Sequence, residues 1–389
     1  MFMHDVYVAQ LLNTTYAVRS NGRVITKVPS GTDCSRLLKA AVDAVPNGGS
    51  LNIRGGTYVV KAPYAMALNP DGTNRFFTGF PVIGKDMHIY GSTTSPTIIQ
   101  LAPWQRTSSR HVTMMLIRNK GGPSLGYNSF TLSDITFDGN RSQQWTGIPH
   151  DGEGAVLVGS SRKNGVFKNL RFINSHGDGL YLGNNGSGPG VNERVENCYA
   201  QNCAAEGIML DTNKNSSVNN CQAYGCRVGL FLNGNDDWQT RGSDNVTATN
   251  IKTDSQITCW QVNDFTLDHI EMDCSKAASS YGFVVRDGNG VIRNSTLKSD
   301  PNKASSFGGA TYFYEQARVL LEKCVIAGHF GVHAIGKSHV EASACQISAP
   351  CGCYCTTDPA PVSSTIIARG CTWIGKKSDL KEGSSLVEC

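Results

Sequence analysis

The sequence predicts an all-β solenoid whose short strands wind into stacked, parallel coils. Three observations lead there. Cysteines recur at a fixed interval: Cys198 to Cys221 and Cys203 to Cys226 are each 23 residues apart, within the range of solenoid repeats. Charged residues make up only 17% of the 389 positions while glycine reaches 42, a profile of many tight turns. The segments holding those cysteines, "VENCYAQNCAAEGIML" and "VNNCQAYGCRVGLFL", each read as an alternating strand, an Asn- or Gly-rich turn and a second short strand.

Residues 1–30 form an N-terminal extension. They lack a basic start before their apolar part, so they read poorly as a signal peptide. In "GTDCSRLLKAAVDAVPNGGSLNIRGGTYVV" (31–60), Asp33 is the expected helix N-cap. Leu37, Leu38, Ala41, Val42 and Val45 have helical spacing, and Pro46 with Gly48 and Gly49 stops the helix before a strand. This short helix would cover the open end of the solenoid.

About eight coils then follow within residues 31–350. One column of the repeat reads Leu170, Cys198, Cys221, Ile251, Ile270, Ser295, Cys324, Cys345 and Cys371. Cysteine alternates there with leucine and isoleucine, so these thiols are expected to be buried small hydrophobes. Residues 351–389 are Cys-rich and break the rhythm. Cys351, Cys353 and Cys355 would face one side of an extended strand, as free thiols, a disulfide partner for Cys371 or Cys389, or a metal site.

The 31–60 segment and "FTLSDITFDGNRSQQW" (130–145), with its strand and "DGN" turn, resemble the pectin-lyase-like right-handed parallel β-helix superfamily. The resemblance covers roughly residues 31–350. It implies a right-handed parallel β-helix with a short N-terminal capping helix. That superfamily includes pectate lyases, polygalacturonases, sugar epimerases and phage tailspike depolymerases, so it also implies a carbohydrate ligand. The "NTD", "DD" and "GHG" set of the polygalacturonases is absent, as is a "DPHE"-like epimerase motif, and "NGNDDW" (233–238) is a weak echo on an inserted turn.

Aligning the strands "EGAVLV", "DGLYLG" and "EGIMLD" places Glu153, Asp178 and Glu206 in one column of three consecutive coils. Pointing outward, they would lie ~4.8 Å apart in neighbouring coils and ~9.6 Å across two. Like charges at that range share a proton or a cation. The outer pair suits the ~6.5–9.5 Å of inverting glycosidases and an adjacent pair the ~5–5.5 Å of retaining ones. His176, two residues before Asp178, aligns with Asp151 and would relay a proton or position water. Asp211 would flank the patch, and Arg227 would bind an anionic sugar. Tyr181 and Phe231 lie on the outward side of their strands, either as a platform for sugar rings or in the seam of a homotrimer.

The reading that follows is a polysaccharide-processing enzyme that hydrolyses glycosidic bonds with paired carboxylates and needs no cofactor. A lyase would instead require calcium, with Arg227 or His176 as base. An epimerase and a non-catalytic appendage of a virion or cell surface are the remaining alternatives, and an extracellular or virion-surface location goes with all of them. The net charge of +4 comes without any lysine or arginine run, which excludes a nucleic-acid backbone as partner, and no apolar stretch is long enough to span a membrane.

Overall fold

A computed structural model describes residues 5–67, 75–118, 128–149, 153–159, 162–183, 189–234, 243–276, 282–302, 309–356, 364–380 and 385–388. The chain forms two compact units, residues 1–209 and 210–389. No helix among the described residues is long and apolar enough to cross a membrane.

In the first unit the N-terminal extension joins the sheet. Val6–Leu11 pairs in parallel with Gly49–Ile53, and antiparallel with Thr14–Arg19. The helix Ser35–Ala44 buries Leu37, Leu38, Ala41 and Val42 as the spacing predicts. Its N-cap is Cys34, not Asp33. Asp33 stands one residue earlier and still serves the helix start, because its carboxylate accepts the Ser35 and Lys61 backbone N–H groups, each at 3.0 Å.

Each coil of this unit contributes three strands. Phe130–Ser133, Thr136–Asp138 and Gly154–Gly159 stack in parallel on Gly165–Lys168, Arg171–Ile173 and Asp178–Gly183. The interior is a set of vertical ladders. Phe137 stacks on Phe172 with ring centres 6.0 Å apart, and Phe130 tilts on Phe167 at 6.4 Å.

Between the first and second strands of a coil the chain turns through one residue in left-handed backbone: Asp134, Asn169 and Asn197 in the first unit, and Asn220, Asn250, His269, Asn294, Lys323, Ala344 and Gly370 in the second. Asparagine tolerates this conformation best among residues with a side chain, which explains its abundance. The amides also pair up the stack, Asn197 to Asn169 at 3.3 Å and Asn169 to Asp134 at 2.8 Å.

The column read from the sequence is the residue immediately after each corner. Its thiols are buried or half-buried, and they do more than fill space. Cys198, Cys324 and Cys345 each donate to the carbonyl two residues back at 3.4 Å, as the Ser295 hydroxyl does at 2.6 Å. A small side chain with one weak donor satisfies the corner carbonyl without swelling the core.

The second unit repeats the plan. Asn289–Arg293, Thr296–Lys298 and Gly309–Tyr314 stack on Arg318–Glu322, Val325–Ala327 and Phe330–Ile335. Coiling continues through the Cys-rich segment: Cys351 pairs with Lys376, and Thr365 with Ser385. Cys351 and Cys353 are buried, and Cys371 is half-buried. Cys389 and the Cys355 side chain lie outside the described residues.

Candidate functional site

The carboxylates singled out from the sequence lie in the first unit, with two differences from the expected ladder. Asp178 pairs with Gly154, so Glu153 sits one position earlier and is not its vertical neighbour. The backbones explain the offset. A Cβ at Gly177 would stand 2.1 Å from the Glu153 carbonyl oxygen, and one at Gly154 the same distance from that of Asp178. Each glycine lets the neighbouring coil come close, so the chain sets a glycine against an acid rather than acid on acid. The acids are also buried, Glu153 at 0%, Asp178 at 3% and Glu206 at 6% exposure, rather than lining an open wall.

Glu153 is committed to a staple. Arg106, itself fully buried, donates to both its carboxylate oxygens at 2.9 and 2.8 Å. The other guanidinium hydrogens go to the carbonyls of Trp145 (2.6 Å), Gly147 (3.0 Å) and Ile148 (2.8 Å). All five donors of the fork are used, and a distant loop is pinned against the coil. Nδ1 of His111 adds a contact to Glu153 at 3.3 Å.

His176 is 2% exposed. Burial pushes its pKa down to about 4, so it is neutral near pH 7, and Nε2 carries the proton it donates to the Val112 carbonyl at 2.8 Å. Asp178 accepts the Glu206 backbone N–H at 3.1 Å. Tyr181 is 8% exposed, with its ring over Gly183. Asp151 lies outside the described residues.

In the second unit Asp211 is buried, and its carboxylate accepts from Asn233 Nδ2 and Thr212 Oγ1, both at 3.2 Å. Arg227 is exposed. Phe231 is half-buried and opens an outer strip that was only partly visible in the sequence. In register behind it come Thr258, Val284, Tyr312 and His333, all buried, and the half-buried Tyr354, with Trp260, Arg286 and Tyr314 half-buried alongside. Phe231 stacks on Trp260 at 6.4 Å and Tyr312 on Tyr314 at 5.0 Å, while His333 meets Tyr312 and Tyr354 edge-on at 5.0 and 4.7 Å.

The strands of this strip end in stacked left-handed corners, Gln261, Asp287 and Glu315. Two carboxylates one coil apart thus occur here, where the sequence reading did not place them. Arg286 donates to Glu315 at 2.8 Å and lies over the Trp260 ring at 4.3 Å. Burial, then a hydrogen bond with Glu315, raises Asp287 to about 6, against the Gln316 N–H that it accepts. Burial would raise Glu315 too, but the Asp287 bond and Arg286 outweigh it and hold Glu315 below the usual carboxylate range. Below about pH 6 the pair therefore keeps one proton on Asp287 and a negative charge on Glu315. An open groove of about 1090 Å³ includes Asp287 together with Asp264, Asn289, Arg318 and His339. The sequence signal was an acid directly after each strand, in "VVRDGNG" and "YFYEQ", obscured by the unequal length of the intervening coil.

Among the described residues no three His, Cys, Asp or Glu side chains converge as a metal site.

Residues 117–250 match the family described as the right handed beta helix region. No curated protein sequence matches the chain. Among solved structures, the A-module of a mannuronan C-5 epimerase from Azotobacter vinelandii is similar over 92% of this chain and 96% of its own, at 13% identity and a TM-score of 0.55. The Agl-KA catalytic domain is similar over 92% of this chain and 66% of its own, at 13% identity and a TM-score of 0.63. An N-terminal fragment of gene product 12 of bacteriophage Phi29 is similar over 92% and 68%, at 15% identity and a TM-score of 0.55. These likenesses concern the fold alone: the chain is a right-handed parallel β-helix.

Proposed function

We propose that this β-helix cleaves glycosidic bonds of a polysaccharide lying along the outer strip of residues 210–389, with Asp287 as proton donor and Glu315 as its ionised partner. One observation carries the reading: two carboxylates stand on stacked left-handed corners one coil apart, beside half-buried aromatic side chains. Below about pH 6 Asp287 holds a proton and would give it to the leaving oxygen. Glu315, oriented by Arg286, is hydrogen-bonded to Asp287 in the resting pair, so the substrate would have to part the two before Glu315 could activate water or attack the sugar. Trp260, Phe231 and Tyr314 are half-buried and already stacked on neighbours, so a sugar would meet their exposed edges. The similar structures named for an epimerase and a catalytic domain support a carbohydrate partner.

Glu153 is assigned to the staple rather than to chemistry. Asp178, Glu206 and His176 stay in the comparison as the alternative centre. The test is a screen of neutral and acidic polysaccharides with wild type, Asp287→Asn, Glu315→Gln and Asp178→Asn, read by reducing ends and by ultraviolet absorbance. Reducing ends without an unsaturated product, lost in Asp287→Asn and Glu315→Gln but kept in Asp178→Asn, is the expected result. The opposite pattern moves the centre to Asp178. An absorbing product that needs calcium makes the protein a lyase. A trimer that binds glycan and yields no product with any substrate makes it an appendage, a reading favoured by the burial of the Glu153, Asp178 and Glu206 carboxylates.

A further inference from the structure

Two loops of the first unit are braced together in a way that the cleavage chemistry does not require. Gln144, 3% exposed, accepts the backbone N–H groups of Gln105 (3.0 Å) and Arg106 (3.1 Å) and donates to the Ala102 carbonyl (2.9 Å). The Trp104 N–H donates to the Gln143 carbonyl at 2.9 Å, and the Arg106 staple fixes the 145–148 backbone from below. Two indoles are presented on this brace. Trp104 is 70% exposed and sits in left-handed backbone at φ +58°, a conformation with a steric cost for a residue of its size. Trp145 is 38% exposed and cannot swing freely, because the Arg106 guanidinium lies over its ring at 4.6 Å and Gly147 packs against it.

The charge of the two loops has one sign. Neither 102–111 nor 139–149 contains an aspartate or glutamate. Arg106 is neutralised by Glu153, but Arg110 and Arg141 face no carboxylate among the described residues. Arg110 is packed on the Phe77 ring at 4.5 Å and donates to the Ala62 carbonyl while its Nε is buried without an acceptor, and Arg141 donates to the Asn202 carbonyl at 3.3 Å. The nearby Asp138 already accepts from the Asn140 N–H, Asn174 and Gln100.

We propose that the Trp104/Trp145 platform, flanked by Arg110 and Arg141, is an accessory binding site for a negatively charged glycan, separate from the cleavage centre. Indoles held rigidly lose little conformational freedom on stacking against sugar rings, and guanidiniums that lack a carboxylate partner keep charge for uronate or sulfate groups. The absence of acids in both loops is what favours an anionic sugar over a neutral one.

The test is a tryptophan-fluorescence titration of the full chain with polygalacturonate, with dextran as the neutral glycan and phosphatidylserine vesicles as the anionic lipid surface. Polygalacturonate is expected to bind, more weakly as salt rises, and to lose at least tenfold in affinity in Trp104→Ala and in Arg141→Gln. Asp287→Asn is expected to bind as wild type does, which separates this site from the cleavage reading: a chain that cleaves nothing can still pass, and a chain that cleaves can still fail. Equal binding of dextran, unchanged affinity in both variants, no binding of polygalacturonate, or binding to vesicles alone each overturns the proposal. Both substituted side chains are exposed, and unaltered amide exchange at Gln105 and Arg106 confirms that the brace persists.

Discussion

Replacing Glu153 by glutamine tests whether that residue is a staple or a catalyst. The substitution keeps volume and removes the charge that meets Arg106, a guanidinium at 0% exposure with five hydrogen bonds of which two go to Glu153. Stranding one member of a buried ion pair costs about 3–5 kcal/mol, whereas replacing both by apolar residues of similar size is often close to neutral. Glu153→Gln and Arg106→Met should therefore each loosen the brace by about 3–5 kcal/mol. Glu153→Leu combined with Arg106→Met should fall well short of the sum. Long stacked folds do not unfold in one step, so the assay is native-state hydrogen exchange. The reporters are the amides of Trp104, Gln105 and Arg106, whose acceptors are Gln143 and Gln144. Additive effects, or unaltered exchange in Glu153→Gln, would refute the staple. So would loss of glycan turnover in Glu153→Gln with the brace intact, which would return the residue to chemistry.

Three further outcomes follow from the same geometry. Turnover should fall as pH rises through about 6, where Asp287 loses its proton, and Asp287→Asn should remove that limb of the profile while lowering the rate by about 10²–10⁴. Acid should weaken the fold through His176 and His333, which burial lowers to about 4 and about 3. The unfolded chain takes up these protons below ~6.5 and the folded one does not. Stability is thus full above that pH and drops by as much as about 1.4 kcal/mol per pH unit for each histidine until the folded pKa is reached. His333→Phe, among Tyr312, Phe330 and Tyr354, should flatten the slope in a urea titration series. Gly177→Ala would place a Cβ 2.1 Å from the Glu153 carbonyl and should lower the thermal midpoint, at a cost of about 1–3 kcal/mol; an unchanged midpoint would show that the two coils are not that close.

The parts of the fold legible in the sequence are those that depend on local backbone rules. Asn197 and Asn220 announce left-handed corners, and Cys198 and Cys221 follow them because the next position points inward and takes an apolar or thiol side chain. Helix Ser35–Ala44 was legible from its apolar spacing, and its start was misplaced by one residue because Asp33 and Cys34 both lie beside the free N–H groups. Register was harder. The "EG" and "DG" pairs align equally well with acids matched or staggered, and only the clash at Gly154 and Gly177 decides between them. Exposure was not legible at all at Glu153, because what covers it is an arginine 47 residues away in sequence.

That last point separates the two acidic sites. Glu153 and Glu315 both lie at the edge of an outer strand, and each meets an arginine. Arg106 arrives from a remote loop and spends its other three donors on carbonyls of a second loop, so Glu153 is enclosed by what it holds. Arg286 comes from the strand next to Glu315 and spreads over Trp260, so it orients the carboxylate from the side and leaves it partly open. An acid in an outer column of such a coil is thus free for chemistry when its counter-charge is local, and becomes structural when the counter-charge brings a loop with it.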